Sequence, residues 1–294
     1  MGILIFDIQQ TMIANLAMQL TGRYSQEIAE KTDKGLAVNE GLLRHMILNS
    51  IRFNRNKFPE YKDVVIACDG YSWRRQAFKY YKASRKTTRD ASSINWDEIF
   101  KSFATIRHEL KTYFPYRTIY VERAEADDII AQVVYHESTK NASPIMILSG
   151  DKDFKQLQTF KNVRQWDPTR KKFVTEDDPK GFLAEHIITG EQGDGIPNII
   201  SDDDYYVNPE KRTRLTKKHI SEIKQKIAVG MLDKELETNY NRNRTLIDLR
   251  CCPKDLAKEI ITDYESQAGK TRARLFTYFV KNKLTNLMEN IQEF

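Results

Sequence analysis

The stretch ILSGDKDFKQL (residues 147–157) joins an apolar run to two closely spaced carboxylates. The run stops at a Ser-Gly pair, after which Asp151 and Asp153 follow one residue apart. A short apolar run of this kind is typical of a parallel strand that is buried on both faces. The stretch therefore predicts a buried strand that ends in acid, followed by a short helix with Phe154 and Leu157 on its buried face.

Three similar apolar runs precede this one, and helical patterns separate them. The four predicted strands cover residues 3–6, 64–68, 118–121 and 145–148. Apolar residues recur at helical spacing from about Asn39, over about 96–113 and from about Ala124. This alternation predicts an α/β fold, with a mostly parallel central sheet flanked by helices. After about residue 180 no strand pattern recurs, which predicts a C-terminal helical subdomain.

The composition excludes several classes of protein. No apolar stretch approaches the roughly 20 residues of a membrane span, and the start MGILIFDIQQ lacks the basic segment of a signal peptide. Cys68, Cys251 and Cys252 are too few and too badly spaced for a disulfide framework or a cysteine-rich zinc site. The net charge of +6 over 294 residues weakly favours a polyanionic partner. We expect a cytoplasmic protein without membrane association.

Acidic residues follow every predicted strand. Ligands of open α/β sheets bind beyond the carboxyl ends of the strands, so these acids are expected to meet at one edge of the sheet. The segment TGEQGDGIPNII (residues 189–200) adds two more acids between glycines. The complete set is Asp7, Asp69, Glu125, Asp127, Asp128, Asp151, Asp153, Glu191 and Asp194.

Taken singly, each of these acids could equally be a helix cap or a loop residue. Taken together they favour a metal site, because two unit charges about 4 Å apart repel by about 4 kcal/mol at an effective dielectric of 20. The cluster needs protons or divalent cations, and all-oxygen ligands suit Mg²⁺ or Mn²⁺. No histidine accompanies the set along the sequence, which argues against zinc. Without these nine acids the net charge of +6 would become +15, so the predicted protein has a basic surface around an acidic site.

The segment YSWRRQAFKYYKASRKTTR (residues 71–89) holds seven Lys or Arg residues, five aromatic residues and no acid. Cations interleaved with rings suit single-stranded nucleic acid, whereas a solvated helix face usually mixes charge signs. If the segment forms one helix, its cations lie on one face: Arg75, Lys79, Lys82, Lys86 and Arg89.

A second basic patch covers residues 211–226 and includes Lys217 and Lys218. It fits contact with a duplex backbone, and a plain exposed helix is nearly as good an interpretation. The polar segments 86–95 and 208–218 are predicted to be mobile loops.

Five motifs, in order LIFD, CDG…WRRQAFKYYKASR, EADD, SGDKDFKQL and GEQGDGIPN, resemble those of the flap endonuclease (5′ nuclease) family. This family includes the 5′ nuclease domains of bacterial DNA polymerase I, and the resemblance is strongest to its members from T-even bacteriophages. It covers most of the chain. It implies an α/β nuclease domain over 1–180 with a helical arch at about 71–95, and a helical DNA-binding subdomain over 181–294 with a helix-hairpin motif at about 189–226.

The resemblance also implies roles for individual residues. Asp128 matches an acid beside the metal core in the phage members, and Glu191 stands where relatives usually have aspartate. The residues that match the metal-site carboxylates are Asp7, Asp69, Glu125, Asp127, Asp151, Asp153 and Asp194. The residues that match the basic pair of the arch and the neighbours that position the scissile phosphate are Lys82, Arg85, Arg74 and Tyr81. Gly193 and Gly195 lie in the hairpin that grips duplex backbone and binds K⁺, although IISDDDYY replaces its usual glycine-rich continuation.

The function implied by the resemblance is a 5′-to-3′ exonuclease with ribonuclease H and flap endonuclease activity. It would use two Mg²⁺ ions, with Mn²⁺ as a substitute, and act as a monomer on RNA·DNA and DNA duplexes with 5′ ends or flaps. It would remove RNA primers from lagging-strand fragments in the cytoplasm of an infected bacterial host, with the phage single-stranded-DNA-binding protein and the sliding clamp as partners. Two alternatives remain open: a PIN-like RNA nuclease and a catalytically silent nucleic-acid-binding module.

Overall fold

The computed structural model describes residues 2–21, 30–32, 35–37, 39–208 and 215–294. The strands within these residues are β1 (Ile3–Asp7), β2 (Glu30–Thr32), β3 (Gly35–Ala37), β4 (Asp63–Cys68), β5 (Arg117–Tyr120), β6 (Ile145–Leu148), β7 (Val163–Asp167) and β8 (Lys172–Val174). Six of them form one sheet in the order β5-β4-β1-β6-β7-β8. Its neighbours are parallel except for the antiparallel pair β7 and β8, and β2 pairs with β3 separately.

The helices flank this sheet and continue to the end of the chain. They are α1 (Ile8–Thr21), α2 (Glu40–Lys57), α3 (Arg74–Ala77), α4 (Ala83–Asp90), α5 (Trp96–Tyr113), α6 (Ala126–Lys140), α7 (Pro179–Thr189), α8 (Lys217–Ala228), α9 (Lys234–Ile247), α10 (Lys254–Ser266), α11 (Leu275–Lys281) and α12 (Thr285–Met288). Short 3₁₀ helices cover Lys152–Thr159, Gln192–Asp194, Leu249–Cys251 and Ile291–Glu293.

The predicted α/β class and all four predicted strands are confirmed, with bounds that differ by one residue at most. β1, β4 and β6 are buried almost throughout, since helices cover both faces of the sheet. Along β1, Leu4 and Phe6 pack on one face, whereas Ile3 and Ile5 pack on the other. The 3₁₀ helix after β6 buries Phe154, as predicted.

Two loop predictions need correction. Residues 86–90 belong to α4, which buries none of its side chains, so polar composition hid a helix that is exposed on every side. In the second predicted loop, residues 209–214 lie outside the described residues, and Lys217 and Lys218 begin α8. The Thr216 hydroxyl accepts a hydrogen bond from His219 N (3.3 Å), which caps the start of that helix.

The hydrophobic core does not divide at the predicted boundary near residue 180. Phe279 of α11 and Phe294 are fully buried and pack against Phe114, in the same cluster as α2 and α5. The Gln267 side chain bonds to both N and O of Thr118 in β5 (3.0 and 2.9 Å). A separate DNA-binding role for residues 181–294 therefore stays a prediction. Among the described helices, none is long and apolar enough to cross a membrane.

A candidate metal centre beside a basic segment

The carboxyl ends of β1, β4 and β6 bring acids from distant parts of the chain to one edge of the sheet. β1 lies between β4 and β6, so Asp7 is flanked by the acids that follow the other two strands. Asp7 accepts hydrogen bonds from Gln10 N (3.1 Å) and from the Ser149 hydroxyl (3.0 Å). Asp69 accepts one from Ala126 N (2.6 Å), which ties the end of β4 to the start of α6.

The acids at this edge carry more negative charge than their surroundings balance. Burial, together with the charges of Asp69 and Asp151, raises the pKa of Asp7 from its ordinary 3.8 to about 7. Burial and Asp151 raise the pKa of Asp127 well above its usual range, and they raise that of Asp153 to about 7. Burial and Glu125 raise the pKa of Asp69 despite the hydrogen bond from Ala126.

Carboxylate oxygens without a counter-charge are suitable ligands for divalent cations. Burial first and neighbouring carboxylates second raise the pKa values of Asp7, Asp69, Asp127 and Asp153, so both disfavour the charged forms that a bound cation would stabilise.

Glu125 differs from these acids because the protein supplies its counter-charge. Its carboxylate binds Lys82 Nζ and Arg74 Nη1 (3.0 Å), and it accepts from the hydroxyls of Ser72 and Tyr81 (2.8 Å each). Burial alone would raise the pKa of Glu125, but Lys82 and Arg74 outweigh it and lower the pKa to about 2.

Asp128 and Arg74 form a buried ion pair, which argues against the predicted metal-ligand role of Asp128. The Arg74 guanidinium binds both Asp128 oxygens (2.9 and 3.0 Å) and donates to the Leu246 carbonyl (2.8 Å). Asp128 also accepts from Trp73 Nε1 (3.2 Å) and from Glu125 N (3.0 Å). Asp128 has no exposed surface and Arg74 is 2% exposed. The polar atoms of both side chains are used within the protein, so a metal-ligand role for Asp128 is not supported. The predicted part of Arg74 in positioning the scissile phosphate stays a prediction.

The basic segment 71–89 does not form the single helix on which the alignment of its cations depended. α3 and α4 are separated by a turn in which Lys82 has a left-handed backbone (φ 54°). Lys82 N donates to the Asp194 carbonyl (2.8 Å), and a Cβ on Gly195 would lie 2.8 Å from the Tyr80 carbonyl oxygen. The hairpin at 190–196 therefore docks into this turn and breaks the helix, and Gly195, at φ 72°, permits the close approach.

This turn directs two of the predicted cations into the acidic site. Lys82 Nζ lies between Glu125 and Asp194 (3.5 Å from the latter), and Arg85 bonds to Asp194 (2.6 Å). Tyr81 is buried, and its hydroxyl contacts Glu125 (2.8 Å) and Asp194 (3.1 Å). Tyr81 therefore positions these two carboxylates, and its predicted part in positioning the scissile phosphate stays a prediction.

The other predicted nucleic-acid contacts lie toward solvent. Arg75, Lys79 and Arg89 stack on aromatic rings of Tyr71, Tyr80 and Phe100, at 5.6, 4.7 and 5.7 Å from the ring centres. The remaining ones are exposed lysines: Lys86 on α4, and Lys217 and Lys218 on α8.

The hairpin amides of Gly193 and Gly195 are already used. They donate to Glu191 Oε1 (3.2 Å) and to the Gln192 carbonyl (3.1 Å), so these N–H groups are engaged within the hairpin.

His186 is a member of the site that sequence reasoning missed. It lies in α7, 4% exposed, with Nε2 3.0 Å from Glu191 Oε2 and Nδ1 3.4 Å from Asp153 Oδ1. The hydrogen bond to His186, together with Lys152, lowers the pKa of Glu191 to about 2 despite its partial burial. The sequence signal that could have revealed it is HIITGE (residues 186–191), in which His186 precedes Glu191 by five residues. The chain turns after α7, so Glu191 comes back to His186 in the last turn of that helix. The expectation that no histidine accompanies the acids was wrong, and the argument against zinc loses its basis.

Comparison with known proteins identifies the class of protein. Residues 22–185 match the family model described as 5′-3′ exonuclease, N-terminal resolvase-like domain. Residues 182–294 match the model described as T4 RNase H, C terminal. The chain therefore belongs to the 5′-3′ exonuclease family of nucleases, which confirms the resemblance and decides against the PIN-like RNA nuclease.

Particular relatives agree with this assignment. Ribonuclease H of Enterobacteria phage T4 is 32% identical over 272 residues, which are 87% of this chain and 88% of that protein. Flap endonuclease Xni of Shewanella sp. (strain MR-4) is 28% identical over 149 residues, 48% of this chain and 53% of that protein. The crystal structure of the T5 D15 protein has the same fold, with a TM-score of 0.61 and 15% identity over 91% of this chain and 100% of that one.

Two neighbouring aspartates give opposite predictions for stability. Asp128→Asn leaves the buried Arg74 without its full partner, so we expect a loss of about 3–5 kcal/mol in the free energy of unfolding. Asp127→Asn removes a repelling carboxylate, so without divalent ions we expect equal or higher stability. Urea unfolding in EDTA measures both. Mn²⁺ titration calorimetry should show binding retained in Asp128→Asn and reduced in Asp127→Asn; the reverse pattern would refute the assignment of these two residues.

The raised pKa of Asp7 predicts that stability falls as pH rises. Between about pH 4 and pH 7 the folded state keeps a proton that the unfolded state has released, so the free energy of unfolding decreases with pH across this window. One pKa unit corresponds to about 1.4 kcal/mol, so this group contributes on the order of 4 kcal/mol. Urea unfolding in EDTA across this window should show a smaller slope for Asp7→Asn than for the parent protein. Equal slopes would contradict the burial of an uncompensated Asp7.

Proposed function

We propose that the protein is a two-metal 5′-to-3′ exonuclease with ribonuclease H and flap endonuclease activity, which removes RNA primers during phage DNA replication. One observation carries the proposal. The acids Asp7, Asp69, Asp127 and Asp153 lie at one edge of the sheet with raised pKa values, Asp7 buried and the other three half-buried, beside a segment rich in cations. Family membership supports it, as do the names of relatives: a ribonuclease H from phage T4 and flap endonucleases from Shewanella.

The T5 structures of the same fold support the proposal that this protein binds divalent metal ions and acts on DNA. One was crystallised with metal ions, one is described as bound to divalent zinc, and one as a flap endonuclease complex with DNA and metal ions. In this chain, one ion would be held by Asp7, Asp69, Asp127 and Asp151. A second would be held near Asp153, beside Asp194, whose two oxygens already contact Arg85, Tyr81 and Lys82. Divalent cations, for which we propose Mg²⁺ with Mn²⁺ as a substitute, would make water a better nucleophile and neutralise charge on the phosphate.

Lys82 and Arg85, the cations at the solvent-facing mouth of the acidic site, would orient the scissile phosphate. Lys82 is held by Glu125 at the border of the acidic cluster. The Arg85 side chain is 50% exposed and bonds to Asp194, so a phosphate could bind it from the solvent side. Tyr81 and Ser72 fix Glu125 and so hold Lys82 in place. Their role is to position a charge that stabilises the reacting phosphate.

Exposed cations outside this mouth would bind the nucleic acid backbone. Lys79 and Lys86 of the basic segment and Lys217 and Lys218 of α8 lie toward solvent, and such contacts give affinity without sequence preference. The proposed substrates are RNA·DNA and DNA duplexes with 5′ ends or flaps. The phage single-stranded-DNA-binding protein and the sliding clamp are the proposed partners of this monomer in the host cytoplasm, and K⁺ at the hairpin stays a prediction.

Digestion of end-labelled substrates tests this proposal. RNA·DNA, nicked and flapped DNA should be cut from the 5′ end in Mg²⁺ and left intact in EDTA. Asp127→Asn should lose activity by several orders of magnitude, because it removes one of the central carboxylates. Cleavage that persists in EDTA would refute metal dependence. Binding without cleavage in Mg²⁺ would identify the protein as the catalytically silent module.

Lys82→Ala should slow cleavage more than it weakens binding. Lys82 lies among the acids, so we expect about a 100-fold lower rate at saturating substrate, of the size seen when one charge-stabilising donor is removed. Lys86→Ala, an exposed cation of the neighbouring helix, is the matched control and should change only affinity and its salt dependence. Single-turnover rates and equilibrium binding on one flapped substrate separate the two effects. An unchanged rate with collapsed binding in Lys82→Ala would refute its role.

A further inference from the structure

We propose that His186 is a nitrogen ligand of the second divalent ion, and that this position favours transition-metal ions such as Co²⁺ and Zn²⁺ over Mg²⁺. The proposal rests on the metal-dependent function proposed above and assigns one of its two ion positions. The ligand atoms of Asp153, His186 and Glu191 all lie within 4.8 Å of one another.

The two ring nitrogens of His186 have different surroundings. Nε2 makes a hydrogen bond of 3.0 Å with Glu191 Oε2. Nδ1 lies 3.4 Å from Asp153 Oδ1, and neither atom has a hydrogen-bond partner in the described part of the chain, although both are buried. The bond to Glu191 places the ring proton on Nε2, so Nδ1 presents its lone pair to a carboxylate oxygen.

Two buried acceptors that face each other are unfavourable unless a proton or a metal cation lies between them. Metal bonds to imidazole nitrogen and carboxylate oxygen are about 2.1 Å long. Two ligand atoms of a tetrahedral site with such bonds are about 3.4 Å apart, which is the separation between Nδ1 and Oδ1. The geometry of Asp153 and His186 therefore suits a metal ion that both of them bind.

Glu191 acts on this ion through His186. Its Oε2 binds His186 and Lys152, and its Oε1 accepts from Gly193 N (3.2 Å), so both oxygens are engaged by the protein. A carboxylate that receives the second N–H of a metal-bound imidazole fixes the orientation of the ring and its tautomer. Glu191 is therefore a positioning residue, and Phe182 packs on the ring (5.5 Å between centres).

The nitrogen ligand determines the class of ion. Mg²⁺ prefers six oxygen ligands and keeps several waters, whereas imidazole binds later first-row ions more strongly. The all-oxygen position formed by Asp7, Asp69, Asp127 and Asp151 would keep its preference for Mg²⁺. The two positions of this chain would thus differ in metal preference.

Pulsed electron paramagnetic resonance with Mn²⁺ as the probe tests this directly on the intact protein. With two equivalents of Mn²⁺ bound, the parent protein should show the ¹⁴N modulation of a coordinated imidazole, and ¹⁵N-labelled histidine should shift its frequency. Two bound ions without nitrogen modulation would overturn this proposal alone. Failure to bind any Mn²⁺ would overturn the proposed function together with it. The measurement needs no variant, so it does not depend on how a substitution folds.

Titration calorimetry with Co²⁺ and Mg²⁺ supplies the second test. His186→Gln should weaken one of two Co²⁺ sites by about 10- to 100-fold and change Mg²⁺ binding less. Glu191→Gln, which keeps a hydrogen-bond acceptor for Nε2, should give a smaller loss. The matched control is His108→Gln, an exposed histidine on α5, which should leave all the affinities unchanged. Equal Co²⁺ affinities in the parent and His186→Gln would overturn the assignment.

Discussion

Repulsion between carboxylates gathered at one edge of the sheet is the constraint around which the rest of the structure is arranged. Parallel strands end on the same side, so β1, β4 and β6 cannot deliver acids without bringing like charges together. The protein balances this charge only at the borders. Lys82 and Arg74 neutralise Glu125. Lys152 neutralises Glu191, which also shares a hydrogen bond with His186, so both border acids have lowered pKa values. The central acids keep raised pKa values, which leaves room for cations from solution.

A rigid frame is needed to hold repelling groups in place, and the Arg74–Asp128 pair provides it. Its hydrogen bonds join α3 to the first turn of α6 and to the Leu246 carbonyl in the last turn of α9, three segments far apart in sequence. Gly70, just after β4, allows a close approach of two backbone segments. A Cβ there would collide with the carbonyl oxygens of Val121 and Glu122, and only without it can Asp69 approach Ala126. The CDG sequence (residues 68–70) therefore permits both the close backbone packing and the placement of Asp69 in the acidic site.

The sequence was sufficient for the centre of the sheet and for the convergence of acids, because both follow from apolar runs and from strand direction. β7 was not predictable in the same way, since its VRQWD sequence lacks a continuous apolar run. The break at Lys82 depends on the docking of a hairpin more than 100 residues away, which cation spacing does not encode. Nor does sequence tell which acid in EADD pairs with an arginine: Asp127 joins the cluster, and Asp128 joins Arg74. Only the fold distinguishes these neighbours.

The pairing of His186 with Glu191 also changes the electrostatics of the site. A carboxylate bound directly to the second ion would add one negative charge to a cluster in which Asp153 already has a raised pKa. In the proposed arrangement a neutral imidazole takes that place, while the Glu191 charge moves outward to Lys152, where it is compensated. Repulsion inside the cluster is thereby lower, and less positive charge is needed to offset it. The second ion would then be held more by its covalent bond to the imidazole nitrogen and less by excess negative charge. Under that condition a binding site can discriminate between metal ions of equal charge.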